Sequence, residues 1–420
     1  MNDMDTHSND PTVTETIDSR EAAEILGVKR ATLYAYVSRG LLRALPTEGR
    51  ASRYLRSEVE RLRTRAAARS GHAAVAAGAL RFGEPVMDTA ITAITPDGPS
   101  YRGQNAVALA EGGTPFEAAA ELLWRGVAEA DDELWRGAAP LLDLGIESLW
   151  LPDGATPIDA IRLTLALLDG KRAPTGPRAE SLERADARRV IRLLAGAAGI
   201  ARDPAAAQAA LDASSVAEGL ALSLGAPVGP DAVAALNHAL VLAADHELNV
   251  STFTARVVAS TGAELTACLV AAAAALSGPR HGGMCSRVEG LLSEAASLST
   301  PADVLSRRHA RGEAIPGFGH PLYPDGDPRG ASLVALARSI GGGKPAVAAA
   351  AAIVDGMARG GQPGPQLDFG LVALAAALGL PDGSAQALFA VGRTAGWVAH
   401  VLEQRTLGDL LRPTARYVGV

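Results

Sequence analysis

The chain has 420 residues, a formal charge of −7, 48% hydrophobic residues and only 4% aromatic ones. That length buries a large core and allows two or three domains, and alanine and leucine must fill it. Two cysteines, Cys268 and Cys285, exclude a disulfide framework, and neither a membrane span nor a signal peptide is visible, so a cytoplasmic protein with no membrane partner is expected.

In chain order, residues 1–16 are polar and acidic and are expected to be disordered. Residues 18–69 carry twelve Lys and Arg against six Asp and Glu, a net of +6, whereas residues 71–420 sum to about −9. Ser19–Gly40 reads as two short helices around a turn at Gly27. Ser19 caps the first, Ala22, Ala23, Ile25 and Leu26 supply its buried side, and Leu33 and Val37 face inward on the second. Leu41–Tyr54 looks like a small wing, and Ser57–Ala68 like a basic helix. Residues 17–69 thus resemble a MerR-like winged helix-turn-helix. The resemblance implies that Lys29, Arg30, Thr32 and Tyr34 lie near DNA, with Arg50 and Arg53 in the wing meeting phosphates. The alternative is a module for assembly or regulation whose charges are merely solvated.

Residues 70–79 are small and alanine-rich and read as a linker. From residue 80 the composition becomes that of a helical enzyme. Asp88–Ser100 alternates toward Asp97-Gly98-Pro99 and suits a hairpin. In Thr114–Trp124, Thr114 is expected to cap, Pro115 to open the helix and Glu117 to complete a capping box. Trp124, Trp135 and Trp150 are expected in the core. The arginines from Arg178 to Arg192 are expected on a solvated face, and Ala173–Pro177 and Arg202–Pro204 are breaks. No phosphate loop, G-x-G-x-x-G, paired C-x-x-C or H-E-x-x-H occurs.

The chemistry gathers after residue 230. His246 lies among Asp245, Glu247 and Asn249; alone, it reads as a helix cap or a buried polar residue. His281 precedes two glycines and a helical run, where the helix dipole favours the neutral ring, and a neutral imidazole can donate to a carbonyl or enolate. Cys285 nearby invites a Cys–His nucleophile reading, but nothing local marks an activated thiol. The stretch Ile315–Gly330 holds Pro316, Pro321, Pro324 and Pro328, so it forms a rigid loop around His320 that ends near Arg329. Asp368 sits between Leu367 and Phe369, whose apolar surroundings raise a carboxyl toward a useful base. Arg393 lies between Gly392 and Gly396. Three imidazoles, one aspartate and arginines 329, 393 and 412 suit enolate chemistry on a di- or tricarboxylate, without a metal.

At these residues the chain resembles the citrate synthase family over about residues 80–420. The shared stretches are Tyr101-Arg-Gly…Trp124, Ala244-Asp-His-Glu-Leu-Asn-Val-Ser-Thr-Phe253, His281-Gly-Gly283, Gly317-Phe-Gly-His320…Asp327-Pro-Arg329, Asp368, Gly392-Arg-Thr-Ala-Gly-Trp397 and Arg412-Pro413. The resemblance implies a mostly α, two-domain helical fold with a small domain at roughly 280–392, and a homodimer. It implies Asp368 as base on acetyl-CoA, His281 as donor to the enol, and His320 polarising oxaloacetate. His246, Arg329 and Arg393 would hold oxaloacetate, with Arg412 reaching in from the other subunit. The loop Pro316, Gly317, Phe318 and Gly319 would meet CoA, which is a substrate; no tightly bound cofactor or metal is expected. The chain departs from the family pattern at Pro324, where a basic residue is usual, at Arg280, where leucine is common, and at Cys285, where asparagine is usual. Propionyl-CoA as substrate, or a DNA-binding regulator with a metabolite-sensing domain, are the alternatives.

Overall fold

The computed structural model describes residues 16–38, 42, 44–45, 52–56, 59, 87–136, 151–170 and 178–413 apart from 228, 299 and 342. Arg50, most of the basic helix expected over Ser57–Ala68, the linker 70–79, Trp150, and the break at Ala173–Pro177 lie outside the described residues. The chain divides into two compact units, residues 1–88 with 413–420, and residues 89–412.

In the first unit, helices α1 (Ser19–Leu26) and α2 (Arg30–Ser38) meet through Gly27, whose φ of 64° suits a residue without Cβ. Strands β1 (Thr16–Asp18) and β2 (Arg53–Leu55) pair antiparallel, with Ile17 opposite Tyr54. Ile17, Ala22, Ala23, Leu33, Leu42, Tyr54 and Val59 form a small core. Val37, expected inside with Leu33, is half-buried. The cap of α1 is Asp18 and not Ser19: its Oδ1 accepts from the Arg20 and Glu21 N–H groups, each at 2.8 Å. Ser19 already lies inside the helix, so the residue before it takes the capping geometry.

The second unit opens with an antiparallel sheet of β3 (Thr92–Thr95), β4 (Gly98–Tyr101) and β5 (Gln104–Asn105), the hairpin expected near Asp97. Helices follow: α3 (Ala106–Glu111), α4 (Phe116–Arg125), α5 (Asp132–Arg136), α6 (Pro157–Gly170), α7 (Glu180–Ala197), α8 (Pro204–Ala209), α9 (Val216–Leu224), α10 (Pro230–Ala243), α11 (Val250–Ala259) and α12 (Leu265–Leu276). The chain ends in α13 (Met284–Ala296), α14 (Asp303–Ala310), α15 (Pro328–Gly341), α16 (Pro345–Arg359), α17 (Leu367–Leu378) and α18 (Ser384–Leu407). The break at Arg202–Pro204 is the start of α8, where Asp203 caps and Pro204 opens the helix.

The unit is built around α18. Every residue from Ser384 to Leu402 is buried, as befits a helix surrounded on all faces. It packs on α4, α10, α11 and α17. Its approach to α10 depends on two glycines. A Cβ on Gly392 would lie 2.9 Å from the Leu240 carbonyl, and one on Gly396 would collide with Asp245 and the Ala244 carbonyl. The Gly396 N–H instead donates to Ala244 O at 2.9 Å.

Two sequence expectations fail here for one reason. Glu117 completes no capping box. It is buried, and its Oε1 accepts from the Val216 N–H at the start of α9 at 2.8 Å. The arginines of α7 are not all solvated. Arg188 is buried against Glu121 at 2.7 Å, and Arg192 donates to Leu211 O at 2.8 Å. In each case the partner is distant in sequence, so no local pattern announces it. Trp124 and Trp135 stack in the core with centroids 5.8 Å apart, as expected.

Candidate active site

The site begins at the turn that leaves α10. The buried Tyr101 hydroxyl donates to Val241 O at 2.9 Å and accepts from the Asp245 N–H at 3.2 Å, which pins the turn to β4. The Asp245 carboxylate is fully buried. An Arg256 N–H lies 3.3 Å from His400 Nδ1, and since guanidinium only donates, Nδ1 accepts. His400 Nε2–H then faces Asp245 Oδ2 at 3.3 Å. Burial works against the Asp245 charge, yet His400 and Arg393 bring its pKa below the usual value. Held from behind in this way, the turn presents His246, with Nε2 3.0 Å from the Tyr323 hydroxyl. Burial and the cations Arg329 and Arg393 hold the His246 pKa well below its ordinary value, so the ring is neutral.

Two further imidazoles face the same space. His281 precedes α13 and its Nε2 is 2.8 Å from the Ser251 hydroxyl. That oxygen also accepts from the Trp397 indole N–H at 3.1 Å and lies 2.8 Å from Asn249 Oδ1. The His281 pKa falls to about 4, through burial first and Arg393 second; burial rather than the helix dipole dominates. His320 Nδ1 accepts from the Leu322 N–H at 3.1 Å, so the neutral ring carries its proton on Nε2. Burial and Arg329 lower its pKa as well.

Charge completes the cavity. Arg329 is 3% exposed; its Nε and one NH2 meet Asp327 at 3.0 and 2.7 Å. Arg393 is 1% exposed, and its Nε donates to Ala243 O at 2.7 Å. Burial lowers the Arg393 pKa to about 10. Both arginines have a buried NH1 without a hydrogen-bond partner among the described residues. Each such group costs roughly 1–3 kcal/mol unless a ligand satisfies it. Asp368 opens part of its surface to the cavity and is ringed by protein elsewhere. Burial raises its pKa to about 6, against the lowering effects of the Cys285 thiol and Arg329.

His246, His281, His320, Arg329, Asp368 and Arg393 thus line one cavity of about 90 Å³. Arg412 is exposed in the last described residues and does not line it. Sequence reasoning missed Ser251, Tyr323 and Asp327 as parts of the site. The Asp327-Pro-Arg329 spacing was the available signal for the last, because a carboxylate two residues before an arginine can clamp it. A second cavity, about 710 Å³, lies beside the His320 loop and includes Phe318, Gly319, Ile315, Leu305, His309 and Met357. Of the loop expected to meet CoA, Phe318 and Gly319 line this cavity, while Pro316 and Gly317 are buried. A Cβ on Gly317, at φ 84°, would press on Phe369 and Val288. In the first unit, Lys29, Arg30 and Tyr34 are exposed, Thr32 is half-buried, and the Arg53 guanidinium donates to the Thr16 carbonyl at 2.9 Å. Among the described residues no group of His, Cys, Asp and Glu is arranged to hold a metal ion, and no helix is long and apolar enough to cross a membrane.

Comparison with known proteins matches residues 81–414 to the family described as citrate synthase, C-terminal domain. The chain belongs to the citrate synthase family. Every residue of the smaller cavity lies within the matched range, and residues 16–67 match a helix-turn-helix domain instead. Citrate synthase 2 of Bacillus subtilis is 36% identical over 193 residues, 45% of this chain and 52% of that relative, so the chain matches about half of its length. The 2-methylcitrate synthase of Mycobacterium tuberculosis is 31% identical over 358 residues, 80% of this chain and 89% of that one. The Thermoplasma acidophilum citrate synthase, solved in a ternary complex with carboxymethyl coenzyme A and oxaloacetate, shares the fold. Its TM-score is 0.69 at 22% identity, over 80% of this chain and 94% of that one.

Proposed function

We propose that this citrate synthase family member condenses acetyl-CoA with oxaloacetate to give citrate and CoA. One observation carries the reading: two buried arginines, each with an unpartnered NH1, share a small cavity with neutral imidazoles and one carboxyl of raised pKa. Such a cavity favours a dicarboxylate, because an anion both accepts from the two guanidinium groups and offsets their buried charge.

Oxaloacetate is held by His246, Arg329 and Arg393. In a homodimer, Arg412 of the second copy adds to that grip. His320 Nε2–H polarises the ketone. Asp368 takes a proton from the acetyl methyl group, and its raised pKa makes it a better base than an exposed aspartate. His281, a neutral imidazole, stabilises the enol oxygen of the thioester as a hydrogen-bond donor. The enol carbon attacks the ketone carbon, and water then cleaves the citryl-CoA thioester. CoA occupies the larger cavity at Phe318 and Gly319, and residues 280–392 form the smaller of two catalytic domains. The reaction runs in the cytoplasm and needs no tightly bound cofactor.

Propionyl-CoA, giving 2-methylcitrate, is the second reading, favoured by the longer match to the 2-methylcitrate synthase. One methylene is worth only about 1–3 kcal/mol of discrimination. A DNA-binding role for the first unit rests on the exposed Lys29, Arg30 and Tyr34 and on the helix-turn-helix match. Release of CoA thiol, followed with each acyl-CoA and with or without oxaloacetate, tests the assignment. Oxaloacetate-dependent release supports it, and the kcat/KM ratio picks the acyl group. Absence of release from either thioester overturns it, and a thermal shift with oxaloacetate alone would then point to a sensor.

A further inference from the structure

The proposed mechanism leaves one neighbour of Asp368 without a task. Cys285 stands in the first turn of α13, and its Sγ is 3.4 Å from Asp368 Oδ1 in the first turn of α17. The sulfur is buried, and burial, followed by the charges of Asp368 and Glu289, pushes the thiol pKa well above its ordinary value. The sulfur therefore keeps its proton, and against a carboxylate it acts as donor. We propose that Cys285 is a positioning residue that orients the base Asp368, engaging Oδ1 so that the other oxygen is presented to the substrate's C–H.

This rests on the reading of Asp368 as base. A thiol suits the task because S–H is a weak donor. It fixes the carboxylate in rotation while withdrawing little of its basicity; a hydroxyl or amide in its place would stabilise the charge more. Other groups act on Asp368 from every side. Arg329 and Asp327 approach from the start of α15 and Arg393 from α18. The three imidazoles line the same cavity. On the remaining helices packed against α17, Asp355 of α16 is paired with Arg338, and His238 of α10 with Ser332. Only Cys285 contacts the carboxylate through a neutral side-chain donor among the described hydrogen bonds.

Cys285→Ser and Cys285→Ala separate positioning from packing. Removing the donor in Cys285→Ala should move the acid limb of the pH–rate profile to higher pH and lower kcat by roughly three- to tenfold, with the KM for oxaloacetate unchanged. The stronger O–H donor in Cys285→Ser should move the limb to lower pH and restore most of kcat. An unchanged limb in both variants, or a shift in the same direction in both, overturns the proposal. The infrared S–H stretching band gives a readout without turnover. In the parent, the band absent from Cys285→Ser should shift as Asp368 ionises, and in Asp368→Asn it should stay fixed across pH. A band that ignores pH in the parent overturns the contact itself, whereas a band that titrates in a protein without condensation activity would leave the contact standing and remove the reading of Asp368 as base.

Discussion

The first unit and the cavity of the second both carry clustered cations, but in opposite states. Lys29 and Arg30 are exposed to water, and Arg53 lies against a neighbouring carbonyl. Arg329 and Arg393 are buried, and each keeps a nitrogen that no described residue satisfies. Water compensates the first set whether or not a partner is bound. The second set, cut off from bulk water, would gain most from an acceptor entering the cavity. Buried donors that also line a polar cavity therefore say more about a ligand than a larger count of exposed charge.

Substitutions in the cavity should have the largest effects. Asp368→Asn removes the proposed base and should lower condensation by roughly 10²–10⁴; activity within a few-fold of the parent would break the contrast. The same change should stabilise the fold at neutral pH. Because burial raises the Asp368 pKa from 3.8 to about 6, ionisation opposes folding: the cost is absent below 3.8, grows with pH and is complete above about 6. A gain of roughly 1–3 kcal/mol at pH 7–8 that vanishes near pH 3.5 is expected in thermal melts. By the same sign, kcat/KM of the parent should fall as pH drops through about 6; His281, at about 4, remains neutral there and does not set that limb.

Arg329→Lys or Arg393→Lys should come next, raising the KM for oxaloacetate roughly 10–100-fold and that for acyl-CoA little, since one charge-assisted bond is worth about 1.5–3 kcal/mol. Equal effects on both substrates would contradict the clamp. Smaller still is Gly396→Ala, where overpacking against Asp245 should cost about 1–3 kcal/mol in denaturant titrations. Smallest is Lys29→Ala with Arg30→Ala, which should leave condensation unchanged. If the first unit binds DNA, this pair should weaken binding at ~50 mM salt; no binding by the parent at that salt would leave its charges as solvated surface.

The residues that line the small cavity were legible because they sit in local patterns: His281 before two glycines, His320 and Arg329 in a proline-rich loop, Arg393 between two glycines. What escaped were pairings across the chain. Cys285 and Asp368 are 83 residues apart, Glu117 and Val216 are 99 apart, and nothing near Arg188 points to Glu121. Asp18 displaced Ser19 as the cap of α1 because cap identity depends on where helical dihedrals begin, which side-chain type alone does not decide. Arg412 was read from a short motif at the chain's end, and no contact within one copy of the chain brings it to the cavity.

Asp327 gives the cavity a property beyond geometry. Its Oδ1 and Oδ2 hold the Arg329 guanidinium, and Oδ2 also accepts from the Leu367 N–H, one residue before Asp368. Arg329 and the backbone that enters the first turn of α17, one residue before Asp368, thus share one carboxylate. If an anion drawing on Arg329 loosened its hold on Asp327, the change would meet the Leu367 N–H at the first turn of α17. Thermodynamic reciprocity requires that any such effect run both ways: if occupancy by oxaloacetate shifts the proton affinity of Asp368, the charge on Asp368 shifts the affinity for oxaloacetate by the same factor. Asp327 is the side chain through which such a linkage would pass.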